Sequence, residues 1–483
     1  MVSKEKNIKI NKLNNNKYFN NKNAGIFILM IIISIFAELY LLTKIPDSYN
    51  TGYTFLFVLP ITFICFLLIT HSCWNEMPMN IGTTVLFALE FIRLVVSPTL
   101  VAMSNYYSVI TYNQVNNNFM GITLLVYETF CIAFALAIKS KCKYYNYQCI
   151  DNKDANRKMS FIVIFALIIT IVICYFAPEI LKNYRLITGV FTDDEFTNIE
   201  QSYIVNKFSI NMFKKIMLVS ANYVLKIMRV LIPIYLMVQL KIHNFKFSKT
   251  ISKFIVISPF LLVDGAIARS LYLTLLFLLI YNFLYGIDVK KLYFPLVFSF
   301  ILVMVFFIAR FKVLGFDNIY EYMADKSIDY FAGVNIIGAS CNLPTGVEYR
   351  HHYFSLDLLR SIPFANTLFK LNPSDYVQIF FNKNNMMFGG QIPTTIGMGY
   401  YYFSFIFAPV YSVIFAIICK KNGKKAIEQN NPYYKLIYYY ISFICALGIG
   451  MYNIEITLGT IVQIIFPIYI ITRFSYRREE NDT

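Results

Sequence analysis

Apolar residues along this chain come in long runs rather than at the spacing of a half-buried helix or strand. From Ala24 almost to the C-terminus, runs of about 20 residues recur, separated by shorter polar segments. A run of about 20 residues matches a hydrocarbon core of roughly 30 Å at about 1.5 Å per helical residue. In lipid each segment must satisfy its own backbone groups, so the runs predict helices rather than open sheet. The pattern predicts an all-α polytopic membrane protein with about 12 transmembrane helices. They fall near 24–43, 52–70, 81–103, 119–138, 160–177, 216–240, 252–264, 269–286, 292–309, 396–419, 435–452 and 457–472. The seventh is short and reads as a hairpin with the eighth. The first is too long for a cleaved leader, and no small-residue cleavage site follows it, so it reads as a retained signal-anchor.

Charge gives the orientation. Lys4 to Lys22, 139–158, 241–253, 420–425 and 473–479 are rich in Lys and Arg, whereas the short loops 44–50 and 105–118 hold one cation between them. The positive-inside rule then places both termini in the cytoplasm. Residues 1–23 form a cytoplasmic tail, 24–472 the membrane domain and 473–483 a second cytoplasmic tail. Two long loops fall outside, at about 178–215 and about 310–395, the larger one late in the chain. The larger loop contains an amphipathic stretch from Phe354 to Ile362 that Pro363 ends. Phe354, Leu358, Leu359 and Ile362 share one face, with Asp357, Arg360 and Ser361 opposite.

Composition sharpens this. The chain has 483 residues, 57% hydrophobic and only 14% charged, with a formal net charge of +16. Its cations cluster beside the spans, where orientation and contact with membrane lipids explain them, so nucleic acid is not an expected partner. The nine cysteines lie mostly in spans, and only Cys341 falls in the large outer loop, which argues against a disulfide there. No CxxC pair or His/Cys spacing indicates a metal, and "TDDEF" at 192–196 reads as a solvated loop. No cofactor is expected.

Ionisable side chains within spans cost about 2.5 to 3.5 kcal/mol each on insertion scales and mark function by default. Glu90 and Arg93 are three apart on one helical face, with Pro98 placed to kink the helix just beyond; Glu128 sits in the next span, and Lys226 and Arg229 pair in the sixth. They read either as a buried ion-pair network or as a polar cavity with excess positive charge that binds an anion. Asp264 and Arg269 lie at the turn between the seventh and eighth spans, and Arg310 at the end of the ninth. Outward arginines run against the bias that set the topology, and the guanidinium fork suits phosphate. A vestibule carrying several of them suits a lipid-linked phosphate or pyrophosphate. "GYYYF" at 399–403 brings Tyr400 and Tyr401 to its edge, for sugar stacking or as an ordinary interfacial aromatic belt.

The order of these features resembles the Wzy-type oligosaccharide repeat-unit polymerases, the O-antigen and capsule polymerases of bacterial envelopes. The resemblance covers most of the chain: the span count, two substantial outer loops, "RLVVSP" with Arg93 and Pro98, Glu128, "ARSLYLTLL" with Arg269, and "GGQIPTTIGMGYYYF" entering a late span. It implies a multi-pass protein of the cytoplasmic membrane. The reaction would be metal-independent glycosyl transfer on the outer face, moving the growing glycan from undecaprenyl pyrophosphate onto a new lipid-linked repeat unit. A flippase and a chain-length regulator would work alongside it. Arg93, Arg229, Arg269, Arg310, Arg350 and Arg360 would meet the pyrophosphate, Arg269 among the catalytic groups; Glu90, Glu128, Lys226 and Asp264 would line the polar cavity.

The acceptor hydroxyl needs a base or close alignment. His351 and His352 are the histidines that topology places outside, as candidate bases or as sugar-binding or helix-capping groups. Two other readings stay open: a flippase for the same lipid-linked oligosaccharide, and an O-antigen ligase.

Overall fold

The computed structural model describes residues 16–48, 51–76, 80–107, 117–138, 153–176, 212–262, 267–286, 318–331, 333–343, 350–362, 365, 376–377, 379–380 and 392–476. These residues are helical throughout, with no strand among them. Six helices are long and apolar enough to cross a membrane, or seven if one sharply bent pair counts as a span. The long helices are α1 (Asn16–Thr43), α2 (Val58–Ile69), α3 (Ile81–Ser104), α4 (Asn117–Ala137), α5 (Lys153–Phe176), α6 (Met212–Ile242), α7 (Ser248–Leu262) and α8 (Ile267–Tyr285). Three shorter ones follow: α9 (Ile319–Tyr330), α10 (Val334–Cys341) and α11 (Arg350–Arg360). The chain closes with α12 (Thr395–Phe407), α13 (Val410–Glu428), α14 (Pro432–Gly450) and α15 (Ile454–Tyr476). The expected ninth span, 292–309, and nearly all of the loop at 178–215 lie outside the described residues.

The surface of α1 and α5 is that of a protein in lipid. Phe36, Phe161 and Ile171 are each more than two-thirds exposed, and their neighbours on the same faces are apolar too. Two cores lie behind them. One joins α1–α4 with α9, α10, α12 and α13; the other joins α5–α8 with α15. Helix α14 runs between the two and is buried along nearly its whole length. Cys445, Ala446 and Ile449 face the first core, and Leu436, Tyr440, Phe443 and Ile444 face the second. Two of its polar groups find partners: the Tyr440 and Tyr272 hydroxyls meet at 3.1 Å, and Lys435 Nζ donates to Gln429 O at 3.3 Å over the Phe283 ring.

Several expectations are corrected. The stretch 396–419 is not one straight helix: α12 and α13 meet at 105°. Inside α12 the backbone breaks at Ser404 (φ 65°, ψ −178°), a conformation that side-chain-bearing residues rarely adopt. The chain then folds back so closely that a Cβ on Gly399 would sit 2.0 Å from Ala408 O, which explains the glycine. Lys420–Lys425 is not a loop but the continuation of α13. Lys420 is buried, and its Nζ donates to the carbonyls of Leu136 and Ile138 at the end of α4, where unpaired carbonyls favour a cation.

In α3 the helix widens into a π turn over Ile92–Val96 immediately before Pro98. The proline ring would crowd the carbonyl of Leu94 in a regular α-helix, and the wider turn gives that carbonyl room. A second π turn spans Ile461–Ile465 in α15.

Helices α4 and α10 touch backbone to backbone. A Cβ on Gly338 would lie 2.6 Å from Asn117 O, so Gly338→Ala forces the pair apart. The expected loss is about 1–3 kcal/mol of stability, read as a lower thermal midpoint in detergent micelles. Gly25→Ala, with nothing within 4 Å of the new methyl group, is expected to leave that midpoint unchanged or slightly raised.

Candidate functional site

The ionisable residues of the third and fourth spans come together. Arg93 lies in the π turn of α3, 2% exposed, between Glu90 one turn earlier and Glu128 on α4, both fully buried. Its Nη1 donates to Glu90 Oε1 at 3.0 Å and its Nη2 to Glu128 Oε2 at 2.8 Å. Thr129 Oγ1 donates to Glu90 Oε2 at 3.4 Å, and Ser412 Oγ, from the first turn of α13, donates to Glu128 Oε1. The guanidinium is thus held on both forks, while Nε has no hydrogen-bond partner among the described residues. This group is a closed network tying α3, α4 and α13 together. It does not present Arg93, Glu90 or Glu128 to a cavity as the sequence pattern allowed.

Four helix interruptions each carry polar contacts to another element. The first π turn holds Arg93. The break at 404–409 is pinned by Tyr127 of α4, which donates to Ile406 O at 2.9 Å and stacks on Phe405 with centroids 5.3 Å apart. The turn between α14 and α15 is held by Thr395 Oγ1, which donates to Gly448 O and to Tyr452 O (3.2 Å), and by Asn453, which caps α15 by accepting from Ile456 N at 2.8 Å. The second π turn carries Gln463, whose Nε2 donates to Ser361 O at 3.3 Å, just past α11. Irregular backbone at membrane depth is tolerated only where it is buried in protein or lines a polar cavity.

Helix α11 forms one side of this region and turns its polar face into the protein. Asp357, Arg360 and Ser361 are each 4% exposed, whereas Leu359 and Ile362 are 38% and 48% exposed. The polar face is turned inward because it finds partners there: Asp357 accepts from Arg360 Nη1 and from the Tyr402 hydroxyl of α12. Phe354 packs among Tyr402, Phe403 and Tyr411 at centroid distances of 5.3, 5.3 and 5.9 Å. Arg360 is therefore an ion-pair partner in this structure.

Tyr401 is fully buried and packed against Tyr376 and Tyr402, so it offers no ring face to a sugar here; Tyr400 is half-buried. Arg350, His351 and His352 occupy the first turn of α11, and Arg269 the first turn of α8, but their side chains lie outside the described residues. Asp264 and Arg310 lie wholly outside them.

Arg229 differs from Arg93 and Arg360. It sits on α6 between buried Met228 and Val230, and α6 packs against the second π turn and α14. Its buried Nε has no hydrogen-bond partner, and among the described residues no carboxylate pairs with it. Lys226, one turn earlier, has its Nζ 5.8 Å from the Tyr223 ring centroid. Beyond the end of α3, Tyr106 donates to Asp325 Oδ1 of α9 at 3.0 Å; burial and Asp325 both push its phenol above the ordinary range. Burial works against the Lys326 ammonium beside it, but Asp329 and Asp325 outweigh that and raise its pKa. No group of three or more His, Cys, Asp or Glu among the described residues could hold a metal ion.

Sequence reasoning missed Ser412, Tyr402, Gln463 and Tyr127, and gave Asp357 no role. A lone serine in an apolar helix just after Pro409 was the one available signal. The comparisons add no relative: no protein-family model, curated protein or solved structure matches the chain.

The network predicts its own mutational signature. Arg93→Ala leaves two buried carboxylates without a counter-ion, with an expected loss of about 3–5 kcal/mol in denaturation measured in detergent. Combining Arg93→Met with Glu90→Gln and Glu128→Gln removes the charges together and is expected to recover most of that loss.

Proposed function

We propose that this chain is a membrane-embedded glycosyltransferase of the Wzy type, with twelve spans and both termini in the cytoplasm. It polymerises oligosaccharide repeat units carried on undecaprenyl pyrophosphate at the outer face of the cytoplasmic membrane. The observation that carries this reading is Arg229, a partly buried arginine whose Nε is enclosed and that has no counter-ion among the described residues, on a helix that packs against an interrupted one. A buried guanidinium is costly unless an anion meets it. A diphosphate headgroup entering from the membrane supplies that anion and matches the guanidinium fork.

The chemistry follows from charge placement. The bond from the anomeric carbon to the diphosphate oxygen breaks as the acceptor hydroxyl oxygen bonds to that carbon, and the acceptor proton passes to a base. Fixed positive charge at the leaving diphosphate stabilises the developing negative charge without reorganisation. Arg229, with Lys226 one turn away, fills that role in this reading, and Arg269 on α8 is the second cation assigned to it. His351 and His352 are the candidate bases. Arg93 and Arg360, each held by carboxylates, instead hold the framework.

A second reading has its own support. Discontinuous helices meeting near mid-membrane are a feature of transporters, and the 105° break between α12 and α13 fits a flippase for the same lipid-linked oligosaccharide. Cells carrying Arg229→Gln at normal protein levels decide between the two. The polymerase reading expects single repeat units to accumulate on the lipid at the outer leaflet. Chain growth should fall by about ten- to a hundred-fold, as for losing a charged hydrogen bond of roughly 1.5–3 kcal/mol. Accumulation on the inner leaflet favours the flippase, and full-length polymer removes Arg229 from the site.

A further inference from the structure

The inward polar side of α11 is the feature that the proposed reaction does not itself require. An amphipathic helix resting on a membrane surface turns its apolar face to lipid and its charges to water. In α11 the charged pair Asp357 and Arg360 is instead buried in the protein with Ser361, while Ser355, Leu359 and Ile362 face outward. Such an orientation fits a helix standing at acyl-chain depth, with lipid on one side and a polar interior on the other. Three contacts hold it there. Phe354 is wedged into the aromatic group of α12 and α13, Asp357 bridges Arg360 to Tyr402, and Ser361 O accepts from Gln463 in the second π turn. They fall at positions 354, 357 and 361, on one side of the helix.

We propose that Asp357 is a positioning residue: by accepting from Arg360 and Tyr402 it holds α11 polar side inward as a wall between the lipid and the site. Two of the three inward contacts of α11 are generic, an aromatic packing and a single amide-to-carbonyl hydrogen bond. The Asp357 contact is specific. A carboxylate taken out of water needs its partners; Arg360 turns with α11 itself, so the Tyr402 hydroxyl of α12 is the partner that ties the carboxylate to one orientation of the helix. Turning the helix over exposes Leu359 and Ile362 to the polar interior and leaves Tyr402 without its acceptor. The first turn of α11, with Arg350, His351 and His352, stands two turns before Asp357 on the same rigid helix, so the placement of that turn depends on this contact. The catalytic consequence rests on the proposed glycosyl transfer; the orientation of α11 does not.

The test uses the full chain in lipid nanodiscs, with Asp357→Ala and Tyr402→Phe made separately. Tyr402→Phe deletes one hydroxyl from the opposite helix and keeps the ring packing, so it guards against a variant that merely fails to fold. Three readouts are taken: amide hydrogen exchange over 350–362, quenching by brominated acyl chains of a tryptophan placed at Leu359 in a Trp74→Phe background, and transfer kinetics with farnesyl diphosphate binding alongside.

In the parent, the tryptophan is quenched by the brominated chains. Both variants are expected to speed exchange in α11 at least about five-fold, leave exchange in α3 and α14 unchanged and weaken the quenching. Turnover should fall by about ten-fold or more while farnesyl diphosphate affinity stays within about two-fold, a split that general unfolding does not produce. Asp357→Glu, which keeps the charge, is expected to restore part of the turnover. Parental exchange and quenching in both variants, or an unquenched tryptophan in the parent, overturn the proposal. If the parent neither binds farnesyl diphosphate nor transfers glycan, the proposed function fails, and exchange and quenching still decide the role of Asp357.

Discussion

Arg93 between Glu90 and Glu128 is the contact on which the rest of the structure depends. Three ionisable groups buried away from water are stable only together, and the groups that satisfy them come from three helices. Glu90 and Arg93 share α3, Glu128 comes from α4 and Ser412 from the start of α13. The network therefore fixes where α13 begins, and so where the chain must turn after α12. The π turn of α3 belongs to the same requirement, since it carries Arg93 while giving Pro98 room to follow.

Once α13 starts at that depth, the outer elements have little freedom. The backbone between Ser404 and Pro409 must reverse in a short distance, at the cost of a strained Ser404, and Tyr127 meets the carbonyl the break leaves free. Helix α12 then presents Tyr402 to Asp357, and α11 settles with its polar side inward. Charge is thereby sorted. Arg93 and Arg360 are neutralised by carboxylates, whereas Arg229, which lies on a helix packed against the second π turn, has none among the described residues. A guanidinium without a carboxylate among the described residues is suited to an anionic headgroup.

Much of this was legible in the apolar runs. The helices around 24–43, 81–103, 119–138 and 216–240 follow from length and hydropathy, because a lipid-facing surface leaves a continuous apolar signature. The spacing of Glu90 and Arg93 foretold their pairing, since residues three apart share a helical face. What local pattern could not show was where a helix stops being one. The stretch 396–419 is apolar throughout, and its break is set by Glu128 and Tyr127, distant in sequence. The direction of α11 was not legible for a related reason. Periodicity identifies two faces, but which one is buried depends on whether the neighbouring surface is oil or a row of hydrogen-bond partners, and Tyr402 and Gln463 lie 45 and 106 residues beyond Asp357. Helix α14 shows the same limit: its tyrosines and Lys435 dilute its hydropathy, yet it is the most enclosed long element because those groups pair internally.

The account stands most directly on equilibrium binding of farnesyl diphosphate to the full chain in nanodiscs, measured for the parent and for Arg229→Gln across a range of salt. The account predicts saturable binding that Arg229→Gln weakens about ten-fold or more at each salt concentration, with partial screening by salt because the guanidinium is partly exposed. Equal affinity in the two proteins would contradict it.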